Sequence, residues 1–339
     1  MKLERFKQII GSYAGLRIAV LGDFCLDRYL EIDPQRAETS IETGLPVHNV
    51  VNVRPQPGGA GTIVNNLSAL GIGSILPIGF AGRDGEGYEL WNALKTVPGV
   101  RLDHFLRTPD RRTFTYCKPL VVKAGSAPVE LNRLDTKNWT PTHAELEAKL
   151  VQQVKDVFES VDAMIILDQV DIPDTGVVTK AVLQSIRGLA QTKTALPILA
   201  DSRRGLRGYP PVIFKMNASE LSTLTGAPQK LSVQDIGAVA KRLAAENLRP
   251  VFISMAERGL LAAIPDGSVH SVSALPLRGE IDVVGAGDSV SANLAAALAA
   301  GATVPEALEL ANAAASVVIH KLGTTGTANR EELRVLVAA

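Results

Sequence analysis

Short apolar runs alternate with segments of helical period over most of the chain. This alternation predicts an α/β fold, in which a mostly parallel sheet carries helices on both faces. Gly and Pro residues mark many of the joins. The predicted strands are Arg17–Phe24, Ile75–Phe80, Ala163–Leu167, Leu196–Ala200, Val212–Met216 and Val251–Ser254. The predicted helices are Ala60–Leu70, Gly85–Lys95, Thr142–Phe158, Asp174–Leu189, Ser219–Thr225 and Val233–Glu246, and the pattern after Gly287 is helical almost to the end.

Two regions break this alternation. Residues 29–53 and 113–134 are rich in Val, Thr and aromatic residues and have no helical period. This composition is typical of strands, and it predicts strands that leave the main sheet. A pair of ordinary surface hairpins is the alternative for these two segments.

The charge balance narrows the class of partner. Of the 339 residues, 35 are Lys or Arg and 35 are Asp or Glu, without a basic block. Nucleic acid and anionic membrane binding therefore lack electrostatic support, and a small-molecule partner is expected.

Location and cysteine chemistry follow from equally simple features. The N-terminus lacks the apolar core of a signal peptide, which favours the cytoplasm. The uncharged run 289–305 is Ala-rich and ends in Gly and Pro, so it predicts a buried helix rather than a membrane span. Cys25 and Cys117 are too few for a disulfide framework and predict free thiols.

The segment from Ile281 to Ser289 carries the strongest chemical signal. It joins a β-like run to an Ala-rich helix through Gly285, Ala286 and Gly287. Small residues allow a sharp turn, and the N–H groups at a helix start favour an anion such as phosphate. A carboxylate is repelled by phosphate, so Asp288 needs another role, such as taking a proton from an attacking hydroxyl. An ordinary helix N-cap is the alternative.

Motifs of other nucleotide and hydrolytic sites are absent from the sequence. No Gly precedes a Lys, which excludes a P-loop, and there is no Gly-x-Ser-x-Gly elbow. The five histidines have no zinc-ligand spacing. The turn that ends at Asp288 is therefore the leading candidate for the site of chemistry.

Three motifs resemble those of ribokinase-like (PfkB family) carbohydrate kinases. The stretch from Asp282 to Ser289 resembles the C-terminal signature of that family, and 57–61 followed by 65–71 resembles its Gly-Gly motif. Asn217-Ala218-Ser219-Glu220 is similar to its Asn-x-x-Glu motif. The resemblance implies a single domain over 1–339, built as a three-layer α/β/α sandwich with a mostly parallel central sheet. It also implies a small β-sheet lid from about 29–53 and 113–134, which often forms a homodimer contact.

The resemblance also implies a role for each matching residue. Asp288 would be the catalytic base, and the N–H groups of Gly285, Ala286 and Gly287 would stabilise the transferring phosphoryl group. The implied acceptor-binding residues are Asp27, Gly58, Gly59, Thr62, Asp168 and Arg203. Asn217 and Glu220 would hold Mg²⁺ mainly through water, and ATP would be the second cofactor. The implied nucleotide-binding residues are Asn217, Glu220, Ser254, Glu257, Gly259, Asp282, Asn312 and Gly323. A monovalent cation requirement stays open.

Some of these residues have plainer interpretations. Asp168 ends an apolar strand at the sheet edge where open α/β folds hold ligands, but it is equally suited to cap a helix. Asp27 is followed by Arg28, and the two would otherwise form a surface ion pair. For Asn217 and Glu220 the alternative is a capping arrangement at the next helix.

Within the family, the chain resembles bacterial kinases that phosphorylate D-glycero-β-D-manno-heptose 7-phosphate at its anomeric hydroxyl. It departs from their pattern around the sugar: Glu38 replaces an Arg, Thr62 replaces an Asn, and Ser202-Arg203 replaces Pro-Lys. An anion in place of a cation opposes binding of a phosphorylated sugar unless Arg36 compensates. We therefore expect an ATP-dependent kinase of a sugar or sugar phosphate, recognised differently from that heptose.

Two other functions fit the same sequence. A nucleoside kinase of this fold would need aromatic stacking under the lid, for which Tyr29, Phe114 and Tyr116 are too few to decide. A non-catalytic sugar or nucleotide sensor could keep the fold, but it would have no need of Asp288. Release of ADP with a sugar acceptor separates a kinase from a sensor.

Overall fold

The computed structural model describes residues 1–123, 125–126, 128–323 and 325–337. The strands are β1 (Arg17–Gly22), β2 (Phe24–Ile32), β3 (Glu38–Thr39), β4 (Pro46–Val47), β5 (Val50–Gly59), β6 (Ser74–Gly82), β7 (Phe105–Thr108), β8 (Phe114–Val121), β9 (Val129–Glu130), β10 (Leu134–Thr136), β11 (Ala163–Asp168), β12 (Ile198–Ser202), β13 (Ile213–Asn217), β14 (Val251–Ser254), β15 (Leu260–Ala263) and β16 (Val269–Val272). The α-helices are α1 (Leu3–Ser12), α2 (Ala60–Ala69), α3 (Gly85–Lys95), α4 (Ala144–Phe158), α5 (Lys180–Thr192), α6 (Ala218–Thr225), α7 (Val233–Asn247), α8 (Ala286–Ala299), α9 (Val304–Val318) and α10 (Arg330–Val337).

The central sheet of the described chain has the strand order β16-β15-β14-β13-β12-β11-β1-β6-β7. Neighbours from β14 to β7 run parallel, while β15 is antiparallel to both β14 and β16. Helices α1, α2, α3, α8, α9 and α10 pack on one face, and α4 to α7 pack on the other. The predicted three-layer α/β/α architecture is therefore confirmed.

Strand β1 shows why a parallel sheet of this kind reads as an apolar run. Ile18 and Val20 point into the core on the α8 face, whereas Ala19 and Leu21 point into the core on the α5 face. Both faces of the strand are buried, so alternation of polar and apolar residues is lost. Helix α8 is Ala-rich for a related reason, because residues 289–297 are all buried and small side chains let it approach its neighbours closely.

A second, smaller sheet contains strands from both segments that break the alternation. Its order is β10-β8-β2-β5, with β9 paired to β8. The face of β2 that carries Phe24 and Leu26 is part of the main core. Arg28 on the same strand makes a bidentate ion pair with Glu89 of α3, at 2.8 and 2.9 Å. The small sheet is therefore tied to the body along β2. Its action as a lid, and the single domain over 1–339, stay predictions.

Two predicted boundaries were wrong for identifiable reasons. The run Arg17–Phe24 is interrupted at Asp23, whose N–H donates to Leu167 O at 3.1 Å and turns the chain out of the main sheet. The helix expected from Asp174 begins only at Lys180, because Asp174 has a φ of +61° and Thr179 is the N-cap. Helix α1 and strands β7, β15 and β16 were not predicted at all.

Among the described residues, no helix is both long enough and apolar enough to cross a bilayer. The run 289–305, predicted as a buried helix, forms most of α8 and then turns at Gly301 before α9. Cys25 and Cys117 are free thiols, on β2 and β8 respectively.

Candidate active site

The turn into α8 requires glycine at its first position. Gly285 is the N-cap of α8 and has a φ of +81°, which L side chains rarely adopt. A Cβ on Gly285 would also lie 2.6 Å from the Thr325 Cγ2 atom. The N–H of Ala286 donates to Val283 O at 3.2 Å, so that group reaches a ligand only if this turn opens. The N–H groups that follow, at Gly287 and Asp288, have no intrahelical acceptor by helix geometry and face outward at the positive end of the helix.

The Gly-Gly motif lies against this turn. Strand β5 ends at Gly58 and Gly59, and α2 starts immediately after them. A Cβ on Gly58 would lie 2.6 Å from the Asp27 Oδ2 atom, so only glycine leaves that carboxylate its place. Thr62, in the first turn of α2, is buried, and its methyl group lies 3.6 Å from the position of a Cβ on Gly285. The N-terminal and C-terminal motifs therefore meet in space.

Asp27 is the acidic residue of the small sheet nearest to this meeting point. It is only 6% exposed, and its Oδ1 atom lies 3.0 Å from the Lys118 Nζ atom on β8. The same ammonium lies 3.4 Å from the Tyr29 hydroxyl. Burial alone would lower the pKa of Lys118, but Asp27 and Tyr29 raise it above its ordinary value. Asp27 is therefore held by a charged lysine, and its Oδ2 atom is next to the Gly-Gly strand.

Asp288 is half-buried in the first turn of α8. Burial raises its pKa to about 7, the negative charges of Asp201 and Asp27 add to the rise, and Lys215 opposes it. A carboxyl group that titrates near neutrality suits proton transfer at physiological pH. The Asp27 charge contributes to this rise, so the two carboxylates lie within electrostatic range of each other.

Asp168 is fully buried and bonded within its own chain. Its Oδ2 atom accepts hydrogen bonds from Arg204 at 2.6 Å, Ser202 at 3.0 Å and Tyr209 at 3.0 Å. Burial raises its pKa, and Arg204 opposes that rise. The Oδ1 atom has no hydrogen-bond partner among the described residues. Asp168 thus anchors the loop after β12, and because its Oδ1 atom is enclosed, a role in acceptor binding stays a prediction. It does not cap a helix.

Arg203 belongs to a ring of charged side chains between the small sheet and the body. Its Nε atom lies 3.3 Å from Asp171, and one terminal nitrogen lies 3.4 Å from the Tyr116 hydroxyl. Asp171 also pairs with Lys137 at 2.7 Å. Arg133 completes the ring: it pairs with Asp135, which lies 4.0 Å from Lys137, and its guanidinium stacks on the Tyr116 ring at 4.4 Å. Arg203 is therefore at the acceptor side, with its charge already balanced by Asp171.

Asn217 and Glu220 form a capping box at the start of α6. The Asn217 side chain accepts from the Glu220 N–H at 2.9 Å, and the Glu220 Oε2 atom accepts from the Asn217 N–H at 2.7 Å. Burial raises the pKa of Glu220, and Asp201 adds to the rise. Within the described ranges, no group of three or more His, Cys, Asp or Glu side chains is arranged to hold a metal ion. The donor set fits Mg²⁺ bound through water and substrate phosphates rather than in a cage of protein ligands.

Three expected nucleotide-binding residues lie at the end of β14 or in the turn after it. The Ser254 hydroxyl lies 3.5 Å from Met216 O, and Glu257 is in a 3₁₀ turn at Ala256–Arg258. Gly259 has a φ of +91°, and a Cβ there would collide with Val272 O on the neighbouring strand. The glycine therefore allows the tight turn between β14 and β15 at the carboxyl edge of the sheet.

Three others surround the segment that leads into α8. The Asp282 side chain accepts from the Val284 N–H at 3.0 Å, and Asn312 on α9 donates to Ser273 O at 2.9 Å. Gly323, which has a φ of +67°, lies just past the end of α9. These contacts support the backbone of a nucleotide site, and a ligand role for the side chains stays a prediction.

Two lysines within strands, Lys215 buried and Lys118 partly buried, escaped the sequence prediction. Lys118 lies within the strand run Phe114–Val121, and Lys215 lies within Ile213–Asn217, where its neighbours are buried and apolar. A single lysine inside a buried strand is itself a signal, because a buried ammonium needs a carboxylate partner. Which carboxylate it meets depends on the pairing of distant strands, and no local pattern reveals that.

Comparison with known proteins agrees with this geometry. Residues 18–331 match the model of the pfkB family carbohydrate kinases. The chain belongs to this family. The expected family and sugar kinase activity, a phosphotransferase acting on an alcohol group, are thereby confirmed.

Curated relatives and solved structures extend the comparison. The chain is 30% identical over 318 residues to the bifunctional protein HldE of Azorhizobium caulinodans, covering 94% of the chain and 63% of the relative. It is 32% identical over 320 residues to the HldE of Rhodospirillum rubrum, covering 94% of the chain and 61% of the relative. The chain thus spans less than two thirds of the length of these relatives.

Solved structures share the fold at low identity. A ribokinase of Arabidopsis thaliana complexed with ribose and ATP aligns with a TM-score of 0.68 and 20% identity, covering 96% of this chain and 99% of that one. Phosphofructokinase-2 of Escherichia coli, in complex with substrates and products, aligns with a TM-score of 0.71 and 19% identity, covering 95% and 98%. The ribokinase-like α/β fold is confirmed by these neighbours.

The raised pKa of Asp288 predicts that its ionisation lowers the free energy of unfolding by an amount that depends on pH. Because its folded pKa of about 7 exceeds its ordinary value of 3.8, wild type should lose stability relative to Asp288→Asn as pH rises from about 4 to about 7. Above about pH 8 the difference should be constant, with wild type roughly 4 kcal/mol less stable relative to Asp288→Asn than at pH 4. Urea unfolding of both proteins between pH 4 and 8, without nucleotide, measures this difference. A difference that does not vary with pH would show that Asp288 titrates normally.

Proposed function

We propose that this kinase transfers the γ-phosphoryl group of ATP to a hydroxyl group of a sugar or sugar phosphate, with Asp288 as the general base. The observation that carries the proposal is the position of Asp288, a carboxyl group with a pKa of about 7 beside the N–H groups that start α8. In the transfer, the acceptor oxygen bonds to the γ-phosphorus as the bond to the β–γ bridging oxygen breaks. The acceptor proton goes to Asp288, and ADP leaves.

The start of α8 supports this step electrostatically. The N–H groups of Gly287 and Asp288 face the place where negative charge develops, and that of Ala286 joins them if its bond to Val283 O opens. Mg²⁺, held through water near Asn217 and Glu220, would neutralise charge on the phosphates when bound. A monovalent cation requirement and a cytoplasmic location stay predictions.

The acceptor would lie between Asp27 and Asp288. The Asp27 carboxylate can accept hydrogen bonds from two hydroxyls, and the Gly58–Gly59 backbone leaves room for a polyol beside it. The structural neighbours include a ribokinase of Arabidopsis thaliana complexed with ribose and ATP, and phosphofructokinase-2 of Escherichia coli in complex with fructose-6-phosphate. Both a sugar and a sugar phosphate are therefore in scope.

A phosphorylated acceptor needs a cationic side chain that is not already neutralised by a carboxylate. The Arg203 guanidinium is balanced by Asp171, and Lys118 is balanced by Asp27. Arg36 lies 3.4 Å from Asp33, and Glu38 accepts from Asn49, both on the outer part of the small-sheet region. These pairings support an acceptor recognised differently from heptose 7-phosphate, with Arg203 as the cation that an acceptor phosphate would take from Asp171.

A coupled ADP-release assay over pentoses, hexoses, their phosphates, heptose 7-phosphate and nucleosides tests the acceptor class. Arg203→Ala should raise KM only for phosphorylated acceptors, and added salt should raise the same KM. Efficient turnover of an unphosphorylated sugar, unchanged by both, would assign a simple sugar kinase. Turnover of nucleosides alone would reassign the chain as a nucleoside kinase.

We also propose a homodimer through the small sheet. Apolar side chains are exposed on its strands and on the adjoining segment between β3 and β4, which is unusual for a monomer surface. Their exposed fractions are 103% for Ile41, 64% for Leu45, 50% for Val51, 61% for Val129 and 65% for Leu134. Packing of two such sheets would cover these groups.

Asp288→Asn should lower kcat by about two to four orders of magnitude, because Asn fills the same space but takes no proton. ATP affinity, measured by titration calorimetry, should stay within a few fold. Asp266→Asn, in an exposed turn, is the matched control and should keep wild-type rates. Near wild-type turnover of Asp288→Asn would reduce Asp288 to a residue of the helix start and contradict the mechanism.

Asp27→Asn should raise the acceptor KM by about tenfold to a hundredfold, since charge-assisted hydrogen bonds to hydroxyls are lost. The KM for ATP should hardly change. Glu130→Gln, an exposed carboxylate on β9 of the same sheet, serves as control. Equal losses for both substrates would mean that Asp27 supports the fold instead of the acceptor.

Leu134→Glu should convert the dimer to a monomer, because a charge would be buried in the apolar contact. Light scattering after size exclusion measures the mass. Val269→Glu, on the far edge strand β16, should leave the mass unchanged. A wild-type protein that is already monomeric at micromolar concentration would rule out the dimer.

A further inference from the structure

A buried ion pair lies directly beneath the turn that carries Asp288. The Lys215 Nζ atom on β13 is 2.6 Å from the Asp201 Oδ2 atom at the end of β12. The same oxygen accepts a hydrogen bond from the Ser291 hydroxyl on α8, at 3.0 Å. Lys215 is 6% exposed and Asp201 is 9% exposed. Neither residue has a role in the function proposed above, and a buried ion pair by itself adds little stability.

The ammonium of this pair approaches the turn itself. It lies 3.1 Å from the place that a Cβ on Gly287 would occupy, so glycine at 287 leaves the room it needs. Asp288 is the next residue along the chain. The Lys215 ammonium therefore lies against this turn from the side of the central sheet.

The charged groups around Asp288 come from three elements. Asp201 and Lys215 lie on the central sheet, and Asp27 lies on β2 of the small sheet. The Cys25 thiol, also on β2, is close enough to respond to the Asp288 charge, but burial raises its pKa well above the ordinary value, so it stays neutral. Asp201 acts most strongly on Asp288 among these charges, the Lys215 cation opposes it with a smaller effect, and Asp27 adds the least.

The state of the lysine is settled by its partners. Burial alone would lower the pKa of Lys215, but the Asp201 charge and hydrogen bond, followed by the charges of Asp288 and Glu220, raise it. The ammonium is therefore charged throughout the working pH range. A lysine that stays charged beside a carboxyl group that titrates near pH 7 lowers the pKa of that carboxyl group at every pH in this range.

We propose that Lys215 and Asp201 are positioning residues that set the proton affinity of Asp288: Lys215 favours its ionised, proton-accepting form, and Asp201 limits that bias. The inference rests on the proposed role of Asp288 as base. If Lys215 acted alone, Asp288 would be a weak base that holds an acceptor proton poorly. If the lysine were absent, burial and the neighbouring carboxylates would keep Asp288 protonated and unable to accept.

Substitutions of Lys215 and of Asp201 should shift the pKa of Asp288 in opposite directions, which substitutions in a purely structural ion pair would not do. In the pH profile of kcat/KM for the acceptor at saturating ATP, Lys215→Met should move the acidic limb to higher pH by about one unit or more. Asp201→Asn should move it to lower pH, because the opposing anion is lost while Asp288 and Glu220 still favour the charged form of Lys215. Ser291→Ala removes a neutral hydrogen bond but keeps both charges, and its limb should stay within about 0.3 unit of wild type.

A second measurement needs no activity. The unfolding free energy of each background with Asp288, minus that with Asp288→Asn, levels off at the pH where Asp288 is fully ionised in the folded protein. The plateau should begin at higher pH in the Lys215→Met background and at lower pH in the Asp201→Asn background. Either background suffices for the test if the other fails to fold.

The inference would be overturned if the acidic limb of the kcat/KM profile and the plateau of the unfolding free-energy difference moved in the same direction in both variants, or did not move. The ion pair would then have only a structural role. That result would leave the proposed function intact as long as Asp288→Asn is inactive. High activity of Asp288→Asn would instead refute the base, independently of where the plateaus lie.

Discussion

Parallel strands place their carboxyl ends at one edge of a sheet, and α8 begins against that edge. Asp168 ends β11, Asp201 is near the end of β12, and Lys215 is near the end of β13, so the three charges arrive side by side. The small sheet then brings Asp27 from the opposite side. Each of these charges is costly to bury, and each has a partner for that reason. The site depends on strand order, because a different order would separate the lysine from its carboxylate.

Glycine determines how close these charges come. Gly58 lets the Asp27 carboxylate lie against β5, and Gly287 lets the Lys215 ammonium lie under α8. At Gly285 both the positive φ and the contact with Thr325 exclude a side chain. The physical reason for glycine therefore differs among these three positions. Only Gly285 has a φ that other residues avoid, whereas Gly58 and Gly287 make room for a neighbouring side chain.

The sequence predicted the layers of the fold well because both-face burial leaves long apolar runs and Ala-rich helices. It failed where a single residue redirects the chain, as at Asp23, whose N–H donates to β11 and whose carboxylate accepts from the segment after β11. The meeting of the Gly-Gly strand with the turn at Gly285 followed from motif resemblance, not from periodicity. Lys118 and Lys215 were missed because their partners, Asp27 and Asp201, are fixed by strand pairing across the chain. For Asn217 and Glu220, the capping interpretation describes the geometry, and any metal role must use water.

The small sheet is held unequally along its two sides. On β2, Phe24 and Leu26 are part of the main core, whereas all three residues of β10 are exposed, and the segment just after β10 reaches the body through the Lys137–Asp171 ion pair. Exposed ion pairs exchange readily with water, while a buried apolar face does not separate without a large cost. If the small sheet moves as the predicted lid, β2 is therefore the side that would stay attached to the body, and β10 is the side that would separate from it.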